Sequence, residues 1–181
     1  MTTSDVDRES IEKLKRNIRD VPDFPKPGIV FKDITPLLGD PETLRLAVDL
    51  LAARYRSMKI DLVLGVESRG FLFASPLAYV LGAGLVIVRK PGKLPWKAVR
   101  ETYDLEYGTD TLEIHQDAIG AGRRVLIVDD LLATGGTVAA VTRMVRNLGG
   151  FPVEAAFVVE LDFLKGREKL KDLGAFSLIH Y

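Results

Sequence analysis

Two periods run through the apolar positions of this chain, and they alternate. Ile11, Leu14, Ile18 and Val21 recur at helical spacing, which predicts an amphipathic helix over about 7–20, stopped by Pro22. Residues 24–36 carry too many prolines for regular structure and read as a fixed loop. Asp40, Pro41 and Glu42 form a good helix start, with Asp as cap and Pro in the first turn, and that helix is expected to reach about Arg56. Apolar runs at 60–66, 85–89, 124–129 and 153–160 have the look of buried strands. Helical stretches at 68–81 and 138–148 lie between them, the second closed by Gly149 and Gly150. Leu112 and Ile114 alternate with polar residues, as in a half-buried strand, and 91–101 carries the weakest pattern and reads as a mobile loop. Strands alternating with helices imply an α/β fold, a parallel sheet flanked by helices.

One apolar stretch needs a decision. No charged residue occurs from Gly70 to Val88, near the length of a membrane span. Pro76, Gly82 and Gly84 interrupt it, and the strand–helix unit that follows repeats the same design. A buried helix, a glycine turn and a buried strand are therefore expected there, with no membrane partner.

Composition narrows the class. With 181 residues, 47% hydrophobic and 28% charged, the chain can bury a core and still present a solvated surface. A single domain over 1–181 is expected. Net charge is +0, which argues against a nucleic-acid partner, since such binders carry a basic excess. Cysteine is absent and the first ten residues are polar and acidic, so a cytoplasmic protein without a secretory leader is expected.

The chemistry concentrates after the strand at 124–129. Asp129 and Asp130 stand where that strand would reach the surface, followed by Ala133, Thr134, Gly135, Gly136 and Thr137, then a helix. A helix N-terminus reached through small residues offers free N–H donors and a positive dipole end to a phosphate. The two acids cannot serve that phosphate, but a carboxylate accepts two hydrogen bonds from a vicinal diol. A sugar monophosphate such as a 5-phosphoribosyl group satisfies both halves. Other constellations are less specific. Glu67, Ser68 and Arg69 make a second strand-to-helix turn at the same sheet edge, either a pyrophosphate cradle or a plain turn. Arg89, Lys90 and Lys93 border the expected loop, either as phosphate cations or as a solvated basic turn. His115 and His180 lack the spacing of a metal site, and no protein metal ligands are assigned.

These segments, with FPKPGIVFKDITPLL at 24–38, GVESRGFLF at 65–73, RKPGKLP at 89–95, YDLEYGTDTLEIHQDAI at 103–119 and LKGREKL at 164–170, span nearly the whole chain. Together they resemble the type I phosphoribosyltransferases, which use 5-phosphoribosyl pyrophosphate (PRPP). The first segment and YDLEYG are similar to the branch that acts on adenine. The resemblance implies an enzyme of purine salvage that makes AMP and pyrophosphate from adenine and PRPP. It implies an N-terminal base-binding hood over about 1–40, a core over 41–181 and a mobile lid. Val30, Phe31 and Lys32 would hold the base, with Phe31 stacked on it; without the resemblance Phe31 reads as core. Glu106 would be catalytic, although a surface Glu on a strand is the ordinary alternative. Asp129 and Asp130 would bind the ribose, residues 133–137 the 5′-phosphate, and Glu67, Ser68, Arg69, Arg89, Lys90 and Lys93 the pyrophosphate. The Glu67–Ser68 peptide would be cis. Mg²⁺, held mainly by substrate and water, and a homodimer follow by the same resemblance. The stretch 96–99, beginning with Trp96, matches no motif of the family. Two rivals stay open: a transferase for another purine, and a regulator that keeps the fold, senses PRPP and binds nucleic acid.

Overall fold

The computed structural model describes residues 3–104 and 108–181, and these divide into two compact units, 1–50 and 51–181. The first unit opens with helix α1 (Thr3–Arg16), which begins and ends about four residues earlier than the apolar spacing suggested. The residues after it leave the helix because they have a sheet partner: β1 (Arg19–Pro22) pairs antiparallel with β2 (Val30–Asp33). Residues 24–29 of the Pro-rich segment are turn and loop as expected, whereas 30–33 form the second strand of a hairpin. It is followed by a short helix, α2 (Thr35–Gly39). Helix α3 (Pro41–Tyr55) starts as its sequence dictates, with the Glu42 N–H donating to Asp40 Oδ1 at 3.0 Å. Thr43 is buried and donates its hydroxyl to the Leu37 carbonyl at 2.9 Å, which joins α2 to α3.

The second unit holds the parallel sheet. Its strands are β3 (Leu62–Val66), β4 (Gly84–Val88), β7 (Arg124–Leu132), β8 (Phe151–Glu160) and β9 (Ala175–His180), in the order β4-β3-β7-β8-β9. Strands β5 (Ala98–Asp104) and β6 (Thr109–His115) form a separate antiparallel ribbon. Residues 98–101 of the expected loop at 91–101 are therefore strand. Alternation of Val99 and Tyr103 with polar residues becomes a strand only because β6 lies beside it. Helix α4 (Gly70–Leu81) tolerates Pro76 and ends at Gly82, whose φ of +65° closes the helix in the left-handed region. Helix α5 (Gly136–Asn147) is closed by Gly149 and Gly150, whose N–H groups donate back to the Arg146 and Val145 carbonyls.

One cluster of the core lies between the sheet, the ribbon and α5, with Leu64, Val125, Ile127, Phe157, Ile114 and Val141 fully buried. The charge-free stretch 70–88 is helix and strand as expected, but only half buried. Leu72, Tyr79 and Val80 of α4 and Leu85 and Ile87 of β4 stay exposed, because β4 is the edge of the sheet. Among the described residues, no helix is long and apolar enough to cross a membrane.

One polar cluster ties the end of α3 to β8. Arg54 donates to both carboxylate oxygens of Glu154 at 2.7 Å, and the Tyr55 hydroxyl donates to Glu154 at 2.8 Å. Burial alone would raise Glu154, yet the hydrogen bonds from Arg54 and Tyr55 hold its carboxyl below the usual range. A carboxyl lowered by folding stabilises the fold above its unfolded pKa, and that contribution fades as pH falls through its folded pKa. Glu154→Gln should cost about 1.5–3 kcal/mol at neutral pH, the range for hydrogen bonds to a charged group. The difference from the parent should shrink as the pH drops below about 4.3. Urea unfolding at several pH values checks both the size and the sign.

Candidate active site

Three strands of the parallel sheet end at one edge, and the turn after each carries polar residues. After β3 come Glu67, Ser68 and Arg69, with the Glu67–Ser68 peptide cis, as the resemblance implied. The start of α4 then packs directly on β7. A Cβ at Gly70 would lie 2.8 Å from the Val128 carbonyl and 2.9 Å from Asp129 Oδ1, so only glycine fits. After β4 come Arg89 and Lys90. Strand β7 runs further than its apolar segment suggested, through both acids to Leu132, because β8 continues beside it with Leu131 opposite Val159. Asp129 and Asp130 are thus part of the sheet rather than a surface turn.

Their burial has electrostatic consequences. Asp130 is only 5% exposed, and its Oδ2 meets Arg69 Nε at 2.8 Å. Its own N–H donates to Asp129 Oδ1 at 2.9 Å. Burial, and then the neighbouring Asp130 charge, push the Asp129 carboxyl well above the usual range. Burial raises Asp130 as well, with Arg69 working against the rise.

The basic residues are also paired. Glu67 accepts from Arg89 at 3.2 and 3.1 Å and from the Lys90 N–H at 2.8 Å, and the Arg89 contacts lead in lowering its pKa. Lys90 forms an ion pair with Asp110 of β6. Arg89 also donates to the Lys93 carbonyl at 3.1 Å, which folds residues 89–93 back on themselves. Sequence reasoning did not single out Tyr103 or Asp110. The Tyr103 hydroxyl, on a residue 7% exposed, bridges Asp110 at 3.2 Å and Thr137 at 3.1 Å. A polar residue alternating with apolar ones in a half-buried strand was the only available signal.

Two cavities adjoin here. The larger, about 210 Å³, is lined by Glu67, Ser68, Arg69, Lys90, Tyr103, Asp110, Asp129, Asp130 and Thr137, with Val66, Leu112 and Leu131. The smaller, about 70 Å³, is formed by Ala133, Thr134, Gly135, Gly136 and Thr137 with Asp129, Leu131, Leu132 and Val138. Gly135 caps α5 with φ +77°, and the Ala139 N–H returns to the Gly135 carbonyl at 3.0 Å. A cleft of about 250 Å³ between α5 and residues 169–173 contains none of the expected site residues.

The structure therefore brings Glu67, Ser68, Arg69, Lys90, Asp129, Asp130 and the 133–137 loop together, with Arg89 held against Glu67. Val30, Phe31 and Lys32 belong to the other unit, in β2. There Phe31 is half-buried, not core, with its ring edge-on to Phe24 at 5.2 Å, and Lys32 pairs with Asp20 at 2.7 Å. Glu106 lies outside the described residues. His180, given no chemistry from its spacing, groups with Glu160 and Asp162. Both Glu160 oxygens there are already engaged, by Arg167 and Ser177.

Residues 36–176 match the family model of the phosphoribosyl transferase domain. Adenine phosphoribosyltransferase of Geobacter metallireducens is 61% identical over 171 residues, covering 94% of this chain and all of that protein. The crystal structure of adenine phosphoribosyltransferase from Thermoanaerobacter pseudethanolicus superposes with a TM-score of 0.92 at 53% identity, covering 94% of this chain and 99% of that one. The Saccharomyces cerevisiae enzyme, complexed with an imino-altritol bisphosphate and adenine, superposes with a TM-score of 0.89 at 44% identity, covering 94% and 99%. The chain belongs to the phosphoribosyltransferase family and, within it, to the adenine phosphoribosyltransferases, which transfer the 5-phosphoribosyl group of PRPP to adenine in purine salvage.

Proposed function

We propose that this transfer runs in the joined cavities at the carboxyl edge of the sheet, with PRPP laid across them. The observation that carries the reading is the pairing of two unlike subsites on one strand end. A loop of backbone donors at a helix N-terminus suits the 5′-phosphate, and two carboxylates beside it suit the ribose diol. In this reading Ala133, Thr134, Gly135, Gly136 and Thr137 bind the 5′-phosphate. Asp129 and Asp130 accept hydrogen bonds from the ribose hydroxyls. Ser68, Arg69, Arg89, Lys90 and Lys93 receive the pyrophosphate, with Glu67 orienting Arg89 and Lys90.

Departure of pyrophosphate builds positive charge at the ribose C1 and negative charge on the leaving oxygens. Cations near the leaving group stabilise the second, and nearby carboxylates stabilise the first. Glu106 is assigned the catalytic carboxylate by family resemblance, taking the proton that leaves the base or stabilising the ribosyl charge. Val30, Phe31 and Lys32 are assigned to adenine on the same ground, with an aromatic face for the ring.

Mg²⁺ is the proposed cofactor. The oxygens of Asp129 and Asp130 on the cavity wall are hard donors of the kind it accepts, and it keeps most of its shell on phosphates and water. When bound it neutralises pyrophosphate and improves the leaving group. The chain is proposed to act as one phosphoribosyltransferase domain in the cytoplasm. A homodimer is proposed too, supported by the exposed apolar side chains of α4 and β4, Tyr79 above all at 88% exposure.

A purine panel tests the function: protein, PRPP and Mg²⁺ with adenine, hypoxanthine, guanine or xanthine, followed by nucleotide formation. AMP from adenine alone is expected. Turnover of a 6-oxopurine would overturn the base assignment, and PRPP binding without any turnover would favour the regulatory rival. Asp130→Asn should raise the KM for PRPP about 10- to 100-fold, since a hydrogen bond to a charged group is worth ~1.5–3 kcal/mol. Near-normal kinetics would undo the diol assignment. Phe31→Ala should raise the KM for adenine about tenfold with a smaller effect on PRPP, the loss expected of a stacked ring. Equal effects on both substrates would remove Phe31 from the base site.

A further inference from the structure

The segment LKGREKL at 164–170 has no part in the function proposed above, yet it packs on the phosphate loop without a side chain between them. Residues Asp162–Leu164 and Gly166–Leu170 form two short 3₁₀ turns. A Cβ at Gly135 would lie 2.3 Å from the Gly166 carbonyl oxygen. A Cβ at Gly166 would lie 2.2 Å from the Ala133 carbonyl oxygen and 3.0 Å from the Leu132 side chain. The Gly166 carbonyl thus excludes a side chain at Gly135, and the Ala133 carbonyl excludes one at Gly166; both are backbone, which cannot rotate aside.

The turn is itself clamped. Arg167 donates to both oxygens of Glu160 at 2.6 and 2.7 Å, and to the Ala175 carbonyl at 2.7 Å. The Ser177 hydroxyl donates to the same carboxylate at 2.6 Å, and Glu160 is 3% exposed. Glu160 ends β8 opposite Leu132, the residue before the phosphate loop, and the Leu161 N–H donates to the Leu132 carbonyl at 3.0 Å. The bidentate pair therefore fixes where Gly166 sits, and Gly166 limits where the backbone of 133–135 runs.

We infer that Gly166 is a positioning residue for the 5′-phosphate subsite and that the Arg167–Glu160 pair holds it in place. Neither lines the cavity formed by the loop. They act by directing the loop's N–H donors. The inference rests on reading residues 133–137 as the phosphate site.

Its test is calorimetric titration of the full chain with ribose 5-phosphate and, separately, with pyrophosphate, with Tm measured alongside. Gly166→Ala should weaken ribose 5-phosphate about 10- to 100-fold, the scale of an ångström-sized misplacement in a positioned site, while pyrophosphate binding stays within about twofold. Arg167→Gln should act in the same direction with a smaller effect, and Arg167→Lys should recover part of it; these variants serve if Gly166→Ala does not fold. Equal weakening of both ligands, or loss of Tm with both affinities intact, would reduce the turn to a structural element and overturn the inference. Thr137→Asp, which sets a carboxylate on the wall of the loop cavity, separates the two readings. If it weakens ribose 5-phosphate and neither turn variant does, only the inference falls. If Thr137→Asp leaves that affinity unchanged, the phosphate-site reading falls and takes the inference with it.

Discussion

Two adjacent carboxylates buried at the end of the central strand are the constraint on which the rest of the site depends. Like charges at neighbouring positions repel, and each loses hydration on burial. The fold answers locally. Arg69 meets Asp130, and the Asp130 N–H turns toward Asp129. Arg69 can stand there only because β3 and β7 are parallel neighbours, in register from Leu62 and Val125 onward. Their carboxyl ends then finish side by side. Gly70 completes the arrangement by letting α4 start within van der Waals distance of the Asp129 backbone.

A second consequence concerns the anion that this edge is proposed to bind. Arg69, Arg89 and Lys90 each have a carboxylate partner within the protein: Asp130, Glu67 and Asp110. On the proposed reading, pyrophosphate exchanges one ionic partner for another instead of meeting free cations. Its net affinity is then the difference between two sets of charge-assisted hydrogen bonds, and the carboxylates keep the empty charge of the site balanced. Tyr103 links this cluster to the 133–137 loop through Thr137, so the ribbon and the loop share a hydrogen bond.

Much of this was legible in the sequence wherever a signal is local. The cap at Asp40, the glycine stop after α5, the charge-free helix and strand at 70–88, and the acid–glycine–helix succession at 129–137 all follow from what neighbouring residues do to one backbone. What was missed needed a partner. Residues 19–22 leave the helical pattern, and 30–33 leave the loop pattern, only because they pair with each other. Residues 98–101 read as part of a mobile loop until β6 is set beside them. Strand β9 was not anticipated at all, since its pairing with β8 is what makes it a strand.

The sequence by itself determined the α/β class, the parallel core strands and the chemical kind of ligand, because hydrophobic period, capping and small-residue loops act over a few residues. Tertiary structure decided the rest. It set how far β7 runs past its apolar segment, since β8 extends the ladder to Leu132. It chose the ion partners, since Asp110 and Lys90, or Arg167 and Glu160, meet only when their strands and turns are assembled. It also gave Gly166 its meaning, because a glycine required by a carbonyl thirty-three positions away leaves no trace in the residues beside it. Local physics writes a pattern that can be read along the chain, whereas close packing between distant segments is visible only once the backbone has closed on itself.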